Sequence, residues 1–283
     1  MAPTYPDIAS KIVYKEMGKG PLLVLFHGFG GTPLHWQDVA ESLSASYRVI
    51  VPNLSHIFIN KEAYSFTEQV EILQSFIETN FTNEERVALA GMSFGGALTW
   101  GLTVRLPHKI KNAIYINPMP PAPAGLFALG LLRHMMRLPI NTKSIYIFLN
   151  TPMGKMVLPW LAKMFRVERE EGNARIDQLK GRKLMFVSHI IARFNWIIKS
   201  EDWEWWRERL RHRSERADSF LIFDNTDPLF TKTTYEDFSY LIGCENICEV
   251  KGGGHLVVKT KPDRIAREIE TYLHKKNASA AAS

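Results

Sequence analysis

The stretch ALAGMSFGGALTW (88–100) holds Ser93 between glycines, where an apolar run gives way to a helical one. A serine at such a junction has two uses. It can cap the helix that follows, or it can stand on a sharp turn with its hydroxyl aimed at a reacting carbonyl. The second use needs small neighbours, because a side chain at Gly91 or Gly95 would collide with the adjoining strand or helix. It also needs a base, a carboxylate to orient the base, and N–H donors for the charge that develops on the carbonyl oxygen. The run VALA before the turn reads as a buried strand and FGGALTW after it as a helix, which favours the nucleophile.

The base is sought on a loop after the last strand. KGGGHLVVKTKPDRI (251–265) places His255 behind three glycines, a composition that fits a mobile loop reaching over a sheet edge. Other histidines fit less well: His35, His108 and His274 fall in or beside helical stretches, His56 on an early loop, and His134, His189 and His212 in the middle of the chain. For the carboxylate, SFLIFDNTDPLF offers Asp224 and Asp227. Asp227 precedes a proline and lies further from the apolar run, in a turn from which it could reach His255 Nδ1. Asp224 continues the strand and suits a turn cap. Asp227 is the expected partner. After the preceding strand the chain reads INPMP, with no acid.

FHGFGG (26–31) also ends an apolar strand. Gly28 and Gly30 let the backbone turn sharply and approach a bound group, so the N–H of Phe29 could join that of Phe94 as a two-donor oxyanion hole. A phosphate-binding loop would need G-x-G-x-x-G or a following G-K-[ST], and neither is present. His27 is read as a brace for this loop.

Around these residues the chain alternates strand and helix. KIVYKEMG suits an edge strand, while PLLVLFHG, YRVIVPNL, RVALAGMS and IKNAIYINPMP suit buried parallel strands. PLHWQDVAESLSA and SFTEQVEILQSFIETN are amphipathic helices between them, the latter with Ser65 or Thr67 as N-cap. The rhythm resumes with SFLIFDNTDP, TYEDFSYLIG, NICEVKGGGHL and KPDRIAREIETYLHKK. The order predicts an α/β fold with a mostly parallel sheet and helices on both faces.

Residues 119–216 break the rhythm. They open on the Pro-rich MPPAPAG and are helical in period, and beyond that junction they hold six of the ten Met (135, 136, 153, 156, 164, 185) and five of the seven Trp (160, 196, 203, 205, 206). Most of these are read as a helical mini-core over the sheet rather than an acyl-binding lining. Pro121 to Arg216 carries 18 Lys or Arg against 9 Asp or Glu, and the rest of the chain 17 against 20. Basic and aromatic residues mixed in IARFNWIIKSEDWEWWRERLRHR leave peripheral contact with anionic lipid open. No nucleic-acid-binding module is recognisable. Cys244 and Cys248 lack a second ligand pair, so no metal is expected and both are read as reduced, packed residues. No run reaches the roughly 18 apolar residues of a membrane span. The N-terminus lacks the basic and apolar regions of a secretory signal, and the expected compartment is the cytoplasm. The oligomeric state is not legible.

The order Ser93, Asp227, His255, with HGFGG and GMSFGG at their places, resembles the α/β-hydrolase superfamily over about 11–118 and 217–275. The resemblance implies a core in two parts (1–118 and 217–275) and a helical cap or lid at 119–216, while the low-complexity end NASAAAS is read as a disordered tail at 276–283. It further implies a cap-bearing serine hydrolase, esterase- or lipase-like, that cleaves a small-molecule ester without a cofactor. Dehalogenases and epoxide hydrolases of the family use an Asp nucleophile, which argues against both. Carbon–carbon bond hydrolysis by the same triad and a non-catalytic ligand receptor are the alternatives. One departure stands out. Many members carry Asp and a Gly-rich run after the second parallel strand, whereas PNLSHIFIN stands here, so that edge of the pocket is expected to differ in shape.

Overall fold

The structure is a computed structural model that describes residues 4–59, 64–84, 86–121, 141–156, 182–213 and 215–281. Its strands are β1 (Tyr14–Met17), β2 (Leu22–Phe26), β3 (Arg48–Pro52), β4 (Val87–Met92), β5 (Ile110–Ile116), β6 (Asp218–Asp224) and β7 (Asn246–Val250). They form one sheet in the order β1-β3-β2-β4-β5-β6-β7. Only the β1–β3 pair is antiparallel; each other neighbouring pair is parallel. Helices are α1 (Tyr5–Ala9), α2 (Gln37–Leu43), α3 (Ser55–Ile59), α4 (Phe66–Asn80), α5 (Phe94–Arg105) and α6 (Thr142–Asn150). They continue as α7 (Arg182–Ser200), α8 (Trp203–Arg211), α9 (Lys232–Ile242), α10 (Val257–Thr260) and α11 (Pro262–Ala281).

The continuous apolar runs follow from burial on both faces. β2 is buried at every position, and successive side chains point to opposite sides. Leu22, Val24 and Phe26 enter one core with residues of α4, α5 and α9. Leu23 and Leu25 enter the other with Val39 and Leu43 of α2 and Ile265 and Ile269 of α11. Because the strands from β2 to β7 run parallel, the turns after β2, β4, β5, β6 and β7 open on one edge of the sheet, where ligands of such sheets bind.

Three local expectations are refined. Ser65, not Thr67, caps α4: its Oγ accepts from the Glu68 N–H at 3.2 Å while Glu68 Oε2 accepts from the Ser65 N–H at 2.7 Å. Within PNLSHIFIN, the expected loop carries the short helix α3, with His56 on it. The final helix runs to Ala281, through most of the tail expected to be disordered at 276–283. Alanine has the highest helix propensity, and the Ala-rich end extends a helix already nucleated by packing.

Between β5 and β6 the regular elements among the described residues are helical. The stretches 122–140 and 157–181 lie outside the described residues, and with them His134, Met135, Met136, Met164 and Trp160. Ile145 and Leu149 of α6 meet Leu184 and Ala192 of α7 in a small separate cluster. Ile197, Trp203 and Trp206, in contrast, belong to the main core. Glu201 ties this end of the segment to α4, accepting from the Thr67 N–H at 2.9 Å, its hydroxyl at 2.6 Å and the Trp206 indole N–H at 3.0 Å. No described helix is long and apolar enough to cross a membrane.

Candidate active site

Ser93 follows β4 directly and precedes the first residue of α5, with φ 56° and ψ −120°. A non-glycine residue avoids this region, so the turn is held by its surroundings. The Ser93 N–H donates to the Ile116 carbonyl at 3.0 Å, and the Ser93 carbonyl accepts from Met119 N–H at 2.9 Å and Ala97 N–H at 3.1 Å. The flanking glycines are sterically required. A Cβ on Gly91 would run into the Gly95 carbonyl and Thr99 Oγ1, and one on Gly95 into the carbonyls of Phe26 and His27. The Phe94 N–H, at the first turn of α5, has no acceptor within the helix.

His255 lies across the sheet edge from Ser93. Its Nε2 is 2.8 Å from Ser93 Oγ and its Nδ1 is 2.7 Å from Asp227 Oδ2. An ionised carboxylate can only accept, so Nδ1 carries the proton and Nε2 is free to accept from the serine hydroxyl. The structure therefore brings together the three residues expected from the sequence. It places Asp224 elsewhere: its Oδ2 accepts from the Gly253 N–H at 2.6 Å and its Oδ1 from the Thr226 N–H at 2.8 Å. The glycines before His255 serve conformation more than mobility. Gly252 and Gly254 take φ 75° and 69°, and Gly253 is held at both ends, its carbonyl accepting from Thr260 Oγ1 at 2.8 Å.

Asp227 has a partner the sequence reading did not name. The hydroxyl of the fully buried Tyr235, on α9, donates to Asp227 Oδ2 at 2.5 Å, and the Leu229 N–H donates to Oδ1 at 2.7 Å. Burial alone pushes the Asp227 carboxyl up. The charge of His255, with hydrogen bonds from His255, Tyr235 and Leu229, outweighs it and holds the group below its ordinary value. Burial first, and then Asp227, push the Tyr235 phenol well above its ordinary value, so it remains a donor.

The loop 28–31 turns beside the serine. The Gly31 N–H donates to the Gly28 carbonyl at 3.0 Å, with Gly30 at φ 70° supplying the left-handed position. A Cβ on Gly28 would lie 3.3 Å from Ser93 Cβ, so this backbone is already against Ser93. His27 braces the loop as expected: its Nε2 accepts from the Leu54 N–H at 3.0 Å, and its Nδ1–H donates to the Gly28 carbonyl at 2.9 Å.

Burial pushes the His27 imidazole down to about 4 from an ordinary 6.5. Between those values the unfolded chain binds the proton that the folded one refuses. Stability is thus full above the unfolded value and falls by about 1.4 kcal/mol per unit as pH drops towards 4. Denaturant unfolding at pH 7.5 and 4.5 should show wild type losing about 2–3 kcal/mol more than His27→Gln, and equal losses would rule His27 out.

Aromatic rings pack together beside the Ser93 turn, Phe58 and Phe94 buried and Phe29 and Phe194 half-buried against them. Phe29 meets Phe94 at 5.3 Å between centroids, Phe58 of α3 at 5.0 Å and Phe194 of α7 at 5.2 Å. Thus α3, where the sequence departs from the family pattern, supplies one ring of this cluster. Gly30 sits under Ile190 of α7, and a Cβ there would come within 3.1 Å of Ile190 Cγ2. No cluster of three His, Cys, Asp or Glu side chains among the described residues could hold a metal ion.

The profile of the alpha/beta hydrolase family matches residues 23–268. Among curated proteins, the chain is 30% identical over 107 residues to a 2-hydroxy-6-oxo-2,4-heptadienoate hydrolase of Pseudomonas putida, covering 36% of this chain and 39% of that one. It is 26% identical over 113 residues to a pimeloyl-[acyl-carrier protein] methyl ester esterase of Aliivibrio salmonicida, covering 40% and 42%. The chain thus spans less than half the length of these curated relatives. Among solved structures, a thermophilic esterase from Thermogutta terrifontis superposes with TM-score 0.67 at 16% identity, covering 93% of each chain. A haloalkane dehalogenase from Bradyrhizobium elkani superposes with TM-score 0.70 at 16% identity, covering 95% of each. At such identities the likeness speaks for the fold alone.

Proposed function

The chain belongs to the alpha/beta hydrolase family, and on that premise we propose that it hydrolyses carboxylic esters of small to medium apolar acyl groups through an acyl-enzyme on Ser93. The observation that carries this reading is the continuous relay from Asp227 Oδ2 through His255 to Ser93 Oγ, with links of 2.7 and 2.8 Å. His255 Nε2 takes the hydroxyl proton as Ser93 Oγ bonds to the carbonyl carbon, and the N–H groups of Phe29 and Phe94 hold the oxyanion. Collapse breaks the ester C–O bond, and His255 returns the proton to the departing alcohol. Water, deprotonated by His255, then attacks the acyl carbon, releasing the acid and restoring Ser93. The half-buried rings of Phe29 and Phe194, backed by the buried Phe58 and Phe94, favour an apolar acyl group. Residues 119–216 are assigned as the lid, with Ile190 and Phe194 over the oxyanion loop.

The test is labelling by a fluorophosphonate, read by intact and peptide mass, beside an ester panel graded by acyl length. One adduct on the Ser93 peptide, lost in Ser93→Ala, together with turnover of the shorter apolar esters, is the expected result. No adduct under conditions that label a control hydrolase would overturn the reading in favour of a ligand receptor. The likeness to the heptadienoate hydrolase favours a second reading, cleavage of a carbon–carbon bond by the same three residues. Labelling without turnover of any ester, but with turnover of a vinylogous diketone, would select it.

A further inference from the structure

The segment Ile116–Met119, which carries no acid, touches the Ser93 turn, the strand β6 that precedes Asp227 and the loop bearing His255. Its Ile116 carbonyl and Met119 N–H hold the Ser93 backbone, and the Asn117 N–H donates to the Ile222 carbonyl of β6 at 2.9 Å. The Asn117 side chain completes the set. Its Oδ1 accepts from the Asp224 N–H at 2.8 Å, while its Nδ2 donates to the Gly254 carbonyl at 3.0 Å and the His255 carbonyl at 2.9 Å. Only one orientation of the amide satisfies these bonds together, because the first partner is a donor and the other two are acceptors.

From this we infer that Asn117 is a positioning residue that sets the reach of His255 towards Ser93, acting through the backbone of the base loop. The inference rests on the hydrolase reading above for its catalytic consequence, but not for its geometry. Asn117 is fully buried and takes φ 41°, a left-handed conformation that asparagine tolerates better than other side-chain-bearing residues. It also precedes Pro118, which pushes the residue before it towards extended backbone. Such a conformation persists only where the surroundings over-determine it. Here the bonds that do so reach the strand before Asp227 and the loop bearing His255. Neither Gly254 nor His255 can shift along the sheet edge without breaking a bond to the Asn117 amide. The side chain touches no reacting atom. What it holds is the backbone carbonyl of the base itself, from which χ1 and χ2 alone carry the side chain to the imidazole.

Asn117→Gly is the primary test, because glycine accepts the positive φ and keeps the backbone N–H while removing the bridge. The companion Asn117→Asp keeps the shape and the acceptor for Asp224 N–H but turns a carboxylate oxygen on the two carbonyls. Two readouts are taken. The first is the His255 Nδ1–H resonance in ¹⁵N-imidazole NMR, with the His27 Nδ1–H resonance as internal control. The second is the steady-state rate per labelled serine.

Both variants are expected to lose or broaden the His255 signal while that of His27 stays. Their kcat should fall on the order of 10²-fold, as for a misplacement near 1 Å, with KM within about threefold of wild type. In a His255→Ala background Asn117→Gly should have no further effect on the residual rate, since the residue acts through His255. An unchanged His255 resonance with kcat within about twofold would overturn the inference, whether or not the melting temperature falls. If wild type shows the resonance yet turns over no ester, the hydrolase reading fails, and the NMR comparison still decides the role of Asn117.

Discussion

Ser93→Gly and Ser93→Ala are both expected to lose turnover on the order of 10⁶-fold, as removal of a triad serine does elsewhere, yet they should differ in stability. Alanine must occupy φ 56°, ψ −120°, as the serine does. A residue held outside its allowed region costs about 1–3 kcal/mol, and glycine escapes most of that cost. Glycine gives back about 0.4–1 kcal/mol through the greater freedom of its unfolded chain. Both variants forfeit the hydroxyl bond to His255 Nε2, so that loss cancels between them. The glycine variant should therefore be the more stable by about 1–2 kcal/mol, or roughly 2–5 °C in melting temperature for a chain of this size. Thermal unfolding of the two, side by side, measures it. An alanine variant as stable as the glycine one would show that the turn stores no strain, and more than about 1% residual turnover in either would place the chemistry away from Ser93.

The residues proposed to carry chemistry are more legible in the sequence than those that hold them. Ser93 and its glycines announce a close approach locally, within five residues, and a Cβ would meet the Gly95 carbonyl and Thr99 Oγ1 at Gly91 and the backbone of the neighbouring strand β2 and its following turn at Gly95. The choice of Asp227 over Asp224 also rested on local chain position, and the structure gives Asp224 the turn-capping bond to Thr226 that this reasoning assigned it. Asn117 was different. Its segment carries no acid to mark it, and its partners lie 107, 137 and 138 residues away. Nothing in a one-dimensional pattern separates a strand-end asparagine that bridges two loops from one that faces water. Tyr235 was hidden similarly, as one aromatic among the apolar positions of an amphipathic helix. The buried strands were readable because burial on both faces leaves a continuous apolar run. Helix α3 was not, since five residues are too few to establish a period.

Asp227→Asn should lower kcat about 10⁴-fold, the loss seen when a triad carboxylate becomes an amide, with little change in fold. The reason lies in which atoms surround the carboxylate. Oδ1 faces the Leu229 N–H, a backbone donor that cannot turn away, and Oδ2 faces both the Tyr235 hydroxyl and His255 Nδ1. An amide NH₂ placed at Oδ1 would oppose the Leu229 N–H, donor against donor. Placed at Oδ2, it can donate to the Tyr235 oxygen, whose hydrogen rotates, and to an unprotonated Nδ1. The second placement is therefore favoured, and it drives the imidazole proton to Nε2, where it points at Ser93 and cannot accept the hydroxyl proton. Asp224→Asn makes the contrast. Its carboxylate touches Gly253 and Thr226 but no ring of the relay, so it should cost about 1–3 kcal/mol of stability and far less of kcat. Rates per labelled serine and denaturant midpoints for the two variants decide the matter. If Asp224→Asn loses the turnover while Asp227→Asn keeps more than about 1% of it, the base is oriented by the other carboxylate and the assignment falls.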